Sequence, residues 1–124
     1  MPFEIEEHDD CLVLRLLGVL TSEDVLRAAA EVQRLEEGPL KAKNRITDLT
    51  SLEDFEIGFA EVWKVAQRRS QLTFAAPIKS AIIARRPIHV GFARMFQTLL
   101  DNPQIEVRIV DSLEEARNWF ASSS

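Results

Sequence analysis

The chain has little with which to do covalent or metal chemistry. Its 124 residues include one cysteine, Cys11, and two histidines, His8 and His89. A lone cysteine forms no internal disulfide, and no C-x-x-C or Cys/His cluster is present to hold zinc. Cys11 lies inside the apolar run "CLVLRLL" and reads as a small buried hydrophobe, not a nucleophile. No G-x-S-x-G, P-loop, G-x-G-x-x-G or H-E-x-x-H motif occurs. The chain is therefore not read as an enzyme, and no metal or cofactor is expected.

Positive charge is also short. Lys and Arg number 15 against 20 Asp and Glu, a formal net charge of -5. That balance offers no general field for nucleic acid or an anionic lipid surface. No stretch approaches the about 20 apolar residues of a membrane span, so no integral membrane segment is expected. The opening "MPFEIEEHDD" is acidic and has neither a basic n-region nor an apolar h-region. A cytoplasmic location is the expectation.

What is present is ordinary globular material. Apolar residues make up 46% and charged residues 28%, enough for one domain over residues 1–124. A domain of this size buries roughly two-thirds of its unfolded surface and needs no staple.

Periodicity sets the elements. "FEIEE" (3–7) alternates and predicts an edge strand. "CLVLRLLG" (11–18) predicts a second strand in hairpin with it. "TSEDVLRAAAEVQRLEEG" (21–38) predicts a helix, capped by Thr21 or Ser22 and stopped by Gly38-Pro39. Its apolar stripe is Val25, Ala28, Ala29, Val32 and Leu35. "NRITDLT" (44–50) predicts a strand. Ser51 with Asp54 predicts the capped start of a second helix running to about Arg69, with Phe55, Phe59, Val62 and Ala66 as its stripe.

"IKSAIIA" (78–84) and "IEVRIV" (105–110) predict strands, and "HVGFARMFQTLLDN" (89–102) predicts a helix between them. "SLEEARNWF" opens with a Ser112-x-x-Glu115 capping box and predicts the last helix. The order β-β-α-β-α-β-α-β-α argues an α/β fold: a mixed, mostly parallel sheet backed by helices, with an antiparallel strand at its start. Gly18, Gly38 and Gly58 are evenly spaced, but their flanks do not match and no repeat is read.

Three stretches carry a resemblance that covers nearly the whole chain. They are "LLGVLTSEDV", "RITDLTSLEDFEIG" and "KSAIIARRPIHVGFARMFQTLLDNPQIEVRIVDSLEEARNWF". Taken in order they resemble the STAS fold and, within it, the SpoIIAA-like family of small bacterial proteins. The resemblance implies kinship with two roles. Anti-sigma factor antagonists use the fold as a phosphorylation switch, and CRAL-TRIO domains use a related fold to hold lipids. Fold kinship alone assigns neither.

In the antagonists the switch serine precedes a glycine at the start of the second helix. The glycine that fits here is Gly58, and Phe55, Glu56 and Ile57 stand before it without a hydroxyl. Thr50 and Ser51 lie earlier and could accept phosphate, but Ser51 reads first as a helix cap. The usual switch is expected to be absent.

In open α/β sheets, ligands favour the carboxyl ends of parallel strands. Residues 18–22, 48–54 and 85–90 should meet there. "ARRPIHVG" places Arg85, Arg86 and His89 between a strand end and a helix start, a candidate anion site with Asp48, Thr50 and Ser51 opposite. The plainer reading has these arginines paired with Asp48, Asp54 or Glu56, or simply solvated. Phe55, Phe59, Trp63, Phe74, Phe92, Phe96, Trp119, Phe120 and Met95 could line a lipid pocket, though core packing explains helical spacing as well. Phe59, Trp63 and Met95 are the candidate interface residues of a homodimer. Two readings result. The first is a non-catalytic, homodimeric interaction and regulatory module with a protein partner. The second is a binder or carrier of a small apolar, lipid-like or anionic ligand.

Overall fold

A computed structural model describes residues 2–37, 43–74 and 76–122. Five strands form the main sheet: β1 (Phe3–Glu7), β2 (Cys11–Leu16), β4 (Asn44–Asp48), β6 (Ile78–Ile83) and β7 (Ile105–Val110). Their spatial order is β1-β2-β4-β6-β7. β1 runs antiparallel to β2 in a hairpin, and every later pairing is parallel. Among the described residues four helices pack with the sheet: α1 (Ser22–Glu36), α2 (Phe59–Ser70), α3 (Pro87–Leu99) and α4 (Leu113–Ala121). The expected α/β class, a mixed and mostly parallel sheet backed by helices, is what forms.

Alternation along the strands sorts the two faces. Cys11, Val13, Ile46, Ala81, Ile83 and Val110 pack beneath Ala116 and Trp119 of α4. Leu14, Leu16 and Ile82 point the other way, into a larger core with Ala28, Val32, Val62, Ala66, Ala93 and Phe96 of α1, α2 and α3. Cys11 is fully buried, as its apolar run requires.

Two short strands depart from the sequence reading. The run from Cys11 does not continue as one strand to Gly18. β2 stops at Leu16, and Gly18 turns the chain at φ 65° into β3 (Gly18–Thr21). Glycine alone takes that left-handed conformation without strain.

Residues 52–56, expected as the first turns of the second helix, form β5 (Leu52–Glu56) instead. β5 pairs in parallel with β3, Leu20 opposite Phe55, as a separate two-stranded sheet. The segment "LEDFE" buries Leu52, exposes Glu53 and Asp54 and half-buries Phe55; the register with β3 shifts between Leu52 and Asp54, and that irregularity sets the inward positions three apart. The open edge of β3 decides the matter. Ser51 is therefore not a helix cap; it sits exposed in the turn between β4 and β5.

The remaining helix ends are close to expectation. Thr21 caps α1 by accepting from the Asp24 N–H at 3.2 Å, and Ser112 caps α4 by accepting from Glu115 N–H at 3.0 Å. Pro87 occupies the first turn of α3, where its missing N–H costs nothing. The expected Gly38-Pro39 stop lies outside the described residues.

α2 starts at Gly58, whose N–H donates to Glu61 Oε1 at 2.9 Å. The other oxygen of Glu61 accepts from Ser22 Oγ at 2.8 Å, tying the starts of α1 and α2 together. The backbone hydrogen bond to Gly58 and then Ser22 hold the Glu61 carboxyl below its ordinary pKa.

Candidate functional site

The opposite ends of α1 and α2 carry a different kind of contact. Ala28 and Val32 face the core, and the next position of that stripe is Glu36. On α2 the stripe is Val62, Ala66 and Arg69. The two charged side chains meet in the interior, where Arg69 Nη1 donates to Glu36 Oε1. Both are almost fully buried, at 3% and 6% exposure.

A second arginine joins them from the sheet. Alternation along β4 puts Ile46 on the α4 face and turns Arg45 and Thr47 toward the three helices. Arg45 is buried, and no carboxylate lies within ion-pair distance of it among the described residues. Burial, then the like charge of Arg69, pushes its pKa down to about 9, with Glu36 opposing. It is still cationic at neutral pH.

Several polar atoms of this cluster find no hydrogen-bond partner among the described residues: Arg45 Nε, Arg69 Nε and Nη2, and Glu36 Oε2. Ser80, the register partner of Arg45 on β6, is fully buried with its hydroxyl likewise unpartnered. Unmet donors at this depth are rare, because each forfeits its hydration.

The two arginines also line a cavity. It has a volume of about 90 Å³, is partly open, and lies between the sheet and α1, α2 and α3. Apart from Arg45, Arg69 and Thr47 its lining is apolar, with Leu14, Ile82, Phe92 and Phe96 among its walls. Half-buried Val25, Ala29 and Val65, from α1 and α2, complete it.

Two solved structures share this architecture. An uncharacterized protein of the DUF3478 family with a SpoIIAA-like fold, from Shewanella loihica PV-4, matches with a TM-score of 0.64 and 18% identity, over 94% of this chain and 90% of that one. The anti-sigma factor antagonist SpoIIAA in its unphosphorylated form matches with a TM-score of 0.62 and 13% identity, over 98% and 99%. The fold is SpoIIAA-like. No protein-family model matches the chain, and no curated protein matches it. At these identities the likeness is one of fold.

Within the SpoIIAA-like frame, the candidates read from sequence lie at the carboxyl ends of the strands, away from the buried arginines. Asp48 Oδ1 accepts from Thr50 N–H at 2.9 Å and from Thr50 Oγ1 at 2.7 Å, closing a small turn. Arg85 is exposed and its Nε donates to the Asp111 carbonyl at 2.8 Å. Arg86 is exposed at the N-cap of α3. No ion pair joins Arg85 or Arg86 to Asp48, Asp54 or Glu56 among the described residues.

His89 is 1% exposed, edge-on to Phe55 with ring centroids 5.7 Å apart. Burial, then the Arg86 charge, holds its pKa below the ordinary value, against a hydrogen bond to the Leu52 backbone. Arg85, Arg86 and His89 thus share one loop and helix start, where Arg85 and Arg86 reach solvent and His89 is core.

The expected interface residues separate too. Phe59, placed by sequence on the buried stripe of α2, is 59% exposed, because the helix starts at Gly58 and its inner face begins at Val62. Trp63, one turn on, is 45% exposed. Met95 is half-buried against the helical core. Val19 and Ile88, at 41% and 50% exposure, are further apolar side chains at the end where α2 and α3 begin.

Sequence reading missed Arg45, Arg69 and Glu36. The signal was available on the helices, where Glu36 and Arg69 each continue an apolar stripe; Arg45 follows none, since Lys43 and Thr47 flank it at strand period.

Proposed function

We propose that this chain is a non-catalytic STAS-type interaction and regulatory module, cytoplasmic and homodimeric. The observation that carries the reading is the exposed pair Phe59 and Trp63, four residues apart on α2. Side chains at that spacing share a helix face. With Val19 and Ile88 at the same end of the fold, they supply the apolar surface a partner would cover. The kinship of fold with an anti-sigma factor antagonist supports a role through protein contacts.

The phosphoserine switch is absent in this reading. Ile57 precedes Gly58 where a hydroxyl would stand, and the Thr50 hydroxyl is engaged by Asp48. A charge of -5 argues against nucleic acid as the partner. Among the described residues no group of His, Cys, Asp and Glu is placed to hold a metal, and no helix is long and apolar enough to cross a membrane. Size-exclusion chromatography with light scattering tests the dimer. A monomeric mass at micromolar concentration contradicts it. Intact mass of protein from its own host tests the switch, since a phosphate on Ser51 or Thr50 would overturn its absence.

A second reading, a binder of a small apolar or anionic ligand, is favoured by one observation. The cavity between the sheet and α1, α2 and α3 has mostly apolar walls that include Arg45 and Arg69.

A further inference from the structure

We infer that this cavity is a binding site for a short-chain monocarboxylate, with Arg45 and Arg69 holding the carboxylate and the apolar walls holding the tail. This deepens the ligand-binding reading above and rests on it.

Charge fixes the headgroup. Two buried guanidiniums face one buried carboxylate, Glu36, which leaves a formal charge of +1 in the interior. A buried charge without a counter-ion is costly, and a monoanion cancels this one. A dianionic phosphate would instead leave a net negative charge. Geometry agrees. A guanidinium presents its N–H groups in a planar fork that matches a carboxylate. Arg45 and Arg69 both line the cavity, and Arg69 spends only Nη1 on Glu36.

Volume fixes the tail. A dry cavity of about 150 Å³ admits benzene, so the 90 Å³ here takes roughly four carbons. A somewhat longer chain would project through the open side of the cavity. Leu14, Leu16, Leu49, Phe92 and Phe96 give such a tail only apolar surface to touch.

The test titrates the full-length protein with sodium hexanoate and with 1-hexanol, following amide and arginine Nε–H signals by NMR. Hexanoate is expected to bind at least roughly tenfold tighter than hexanol, the scale of one charge-assisted hydrogen bond. It should shift the Arg45 and Arg69 Nε–H signals. Arg45→Met, which keeps the stem and removes the charge, should abolish the preference. Ala29→Leu, which fills the cavity from its half-buried wall and leaves both arginines in place, should weaken hexanoate.

Equal binding of hexanoate and hexanol, unchanged in Arg45→Met, would overturn the carboxylate inference while leaving an apolar ligand site standing. Hexanoate binding unaffected by Ala29→Leu would overturn the placement in this cavity. No binding of either probe at millimolar concentration would overturn the inference and the ligand reading together.

Discussion

Arg69 and Glu36 close an ion pair in the interior, across the last turns of α2 and α1, and a third charge, Arg45, lies close enough to feel them both. Buried pairs of this kind do little for stability as intact units, yet breaking one is costly. Glu36→Gln removes the one buried carboxylate that faces the two guanidiniums among the described residues. It is expected to lower the unfolding free energy by about 3–5 kcal/mol in urea melts. A change within experimental error would show that water or relaxation already neutralises the cluster.

Arg45 behaves in the opposite sense. Arg45→Met removes a buried cation that has no ion-pair partner and keeps most of its volume. It is expected to raise stability at pH 7, on the order of 1 kcal/mol. The pH dependence follows from a folded pKa of about 9, below the ordinary arginine value. Above about 9 the folded chain has lost a proton that the unfolded chain still holds, so wild-type stability rises with pH through this group. The advantage of Arg45→Met should therefore shrink in alkaline buffer. A variant less stable than wild type at pH 7 would contradict the unbalanced charge.

His89 sets a second pH window. Its folded pKa lies below the ordinary 6.5, so the unfolded chain takes up a proton first as the pH falls. Stability from this group is complete above 6.5 and is lost progressively below it, down to the folded pKa. Urea midpoints between pH 7.5 and roughly 5 should fall less steeply in His89→Gln than in wild type. Parallel slopes would show that His89 does not titrate on unfolding.

Gly18 gives a purely backbone prediction. Its φ is 65°, and a Cβ built there meets nothing within 4 Å. Gly18→Val is therefore expected to cost about 1–3 kcal/mol through strain alone, and Gly18→Asn less, since asparagine tolerates the left-handed region. Equal costs for the two variants would point to a steric cause instead.

Most of the fold was legible in the chain because long apolar periods leave few options. The helix over 21–38, the strands at 78 and 105 and the Ser112 cap all announce themselves within their own segments. β3 and β5 did not, because each is short and exists only by pairing with the other. "SLED" is a sound capping box until β3 offers Leu52 and Phe55 an edge. Once α2 starts at Gly58, Phe59 moves from the inner face to the surface.

The candidate site was hidden for a different reason. A charged residue that continues a stripe is ordinarily read as the stripe's end. Only the meeting of α1, α2 and β4 shows that Glu36 and Arg69 carry their stripes onward into the interior, where Arg45 joins them. Arg85 and Arg86 sat where the topology favours a ligand, but the backbone turns them outward to solvent.

The central claim is that the α2 face bearing Trp63 serves association. Trp63→Lys changes an exposed side chain and should alter stability by no more than about 0.5 kcal/mol. Native mass spectrometry of wild type and Trp63→Lys, purified gently, tests the claim most directly. The expected result is a homodimer for the wild type and a monomer for the variant. A wild-type monomer, or a dimer that survives Trp63→Lys unchanged, would contradict it.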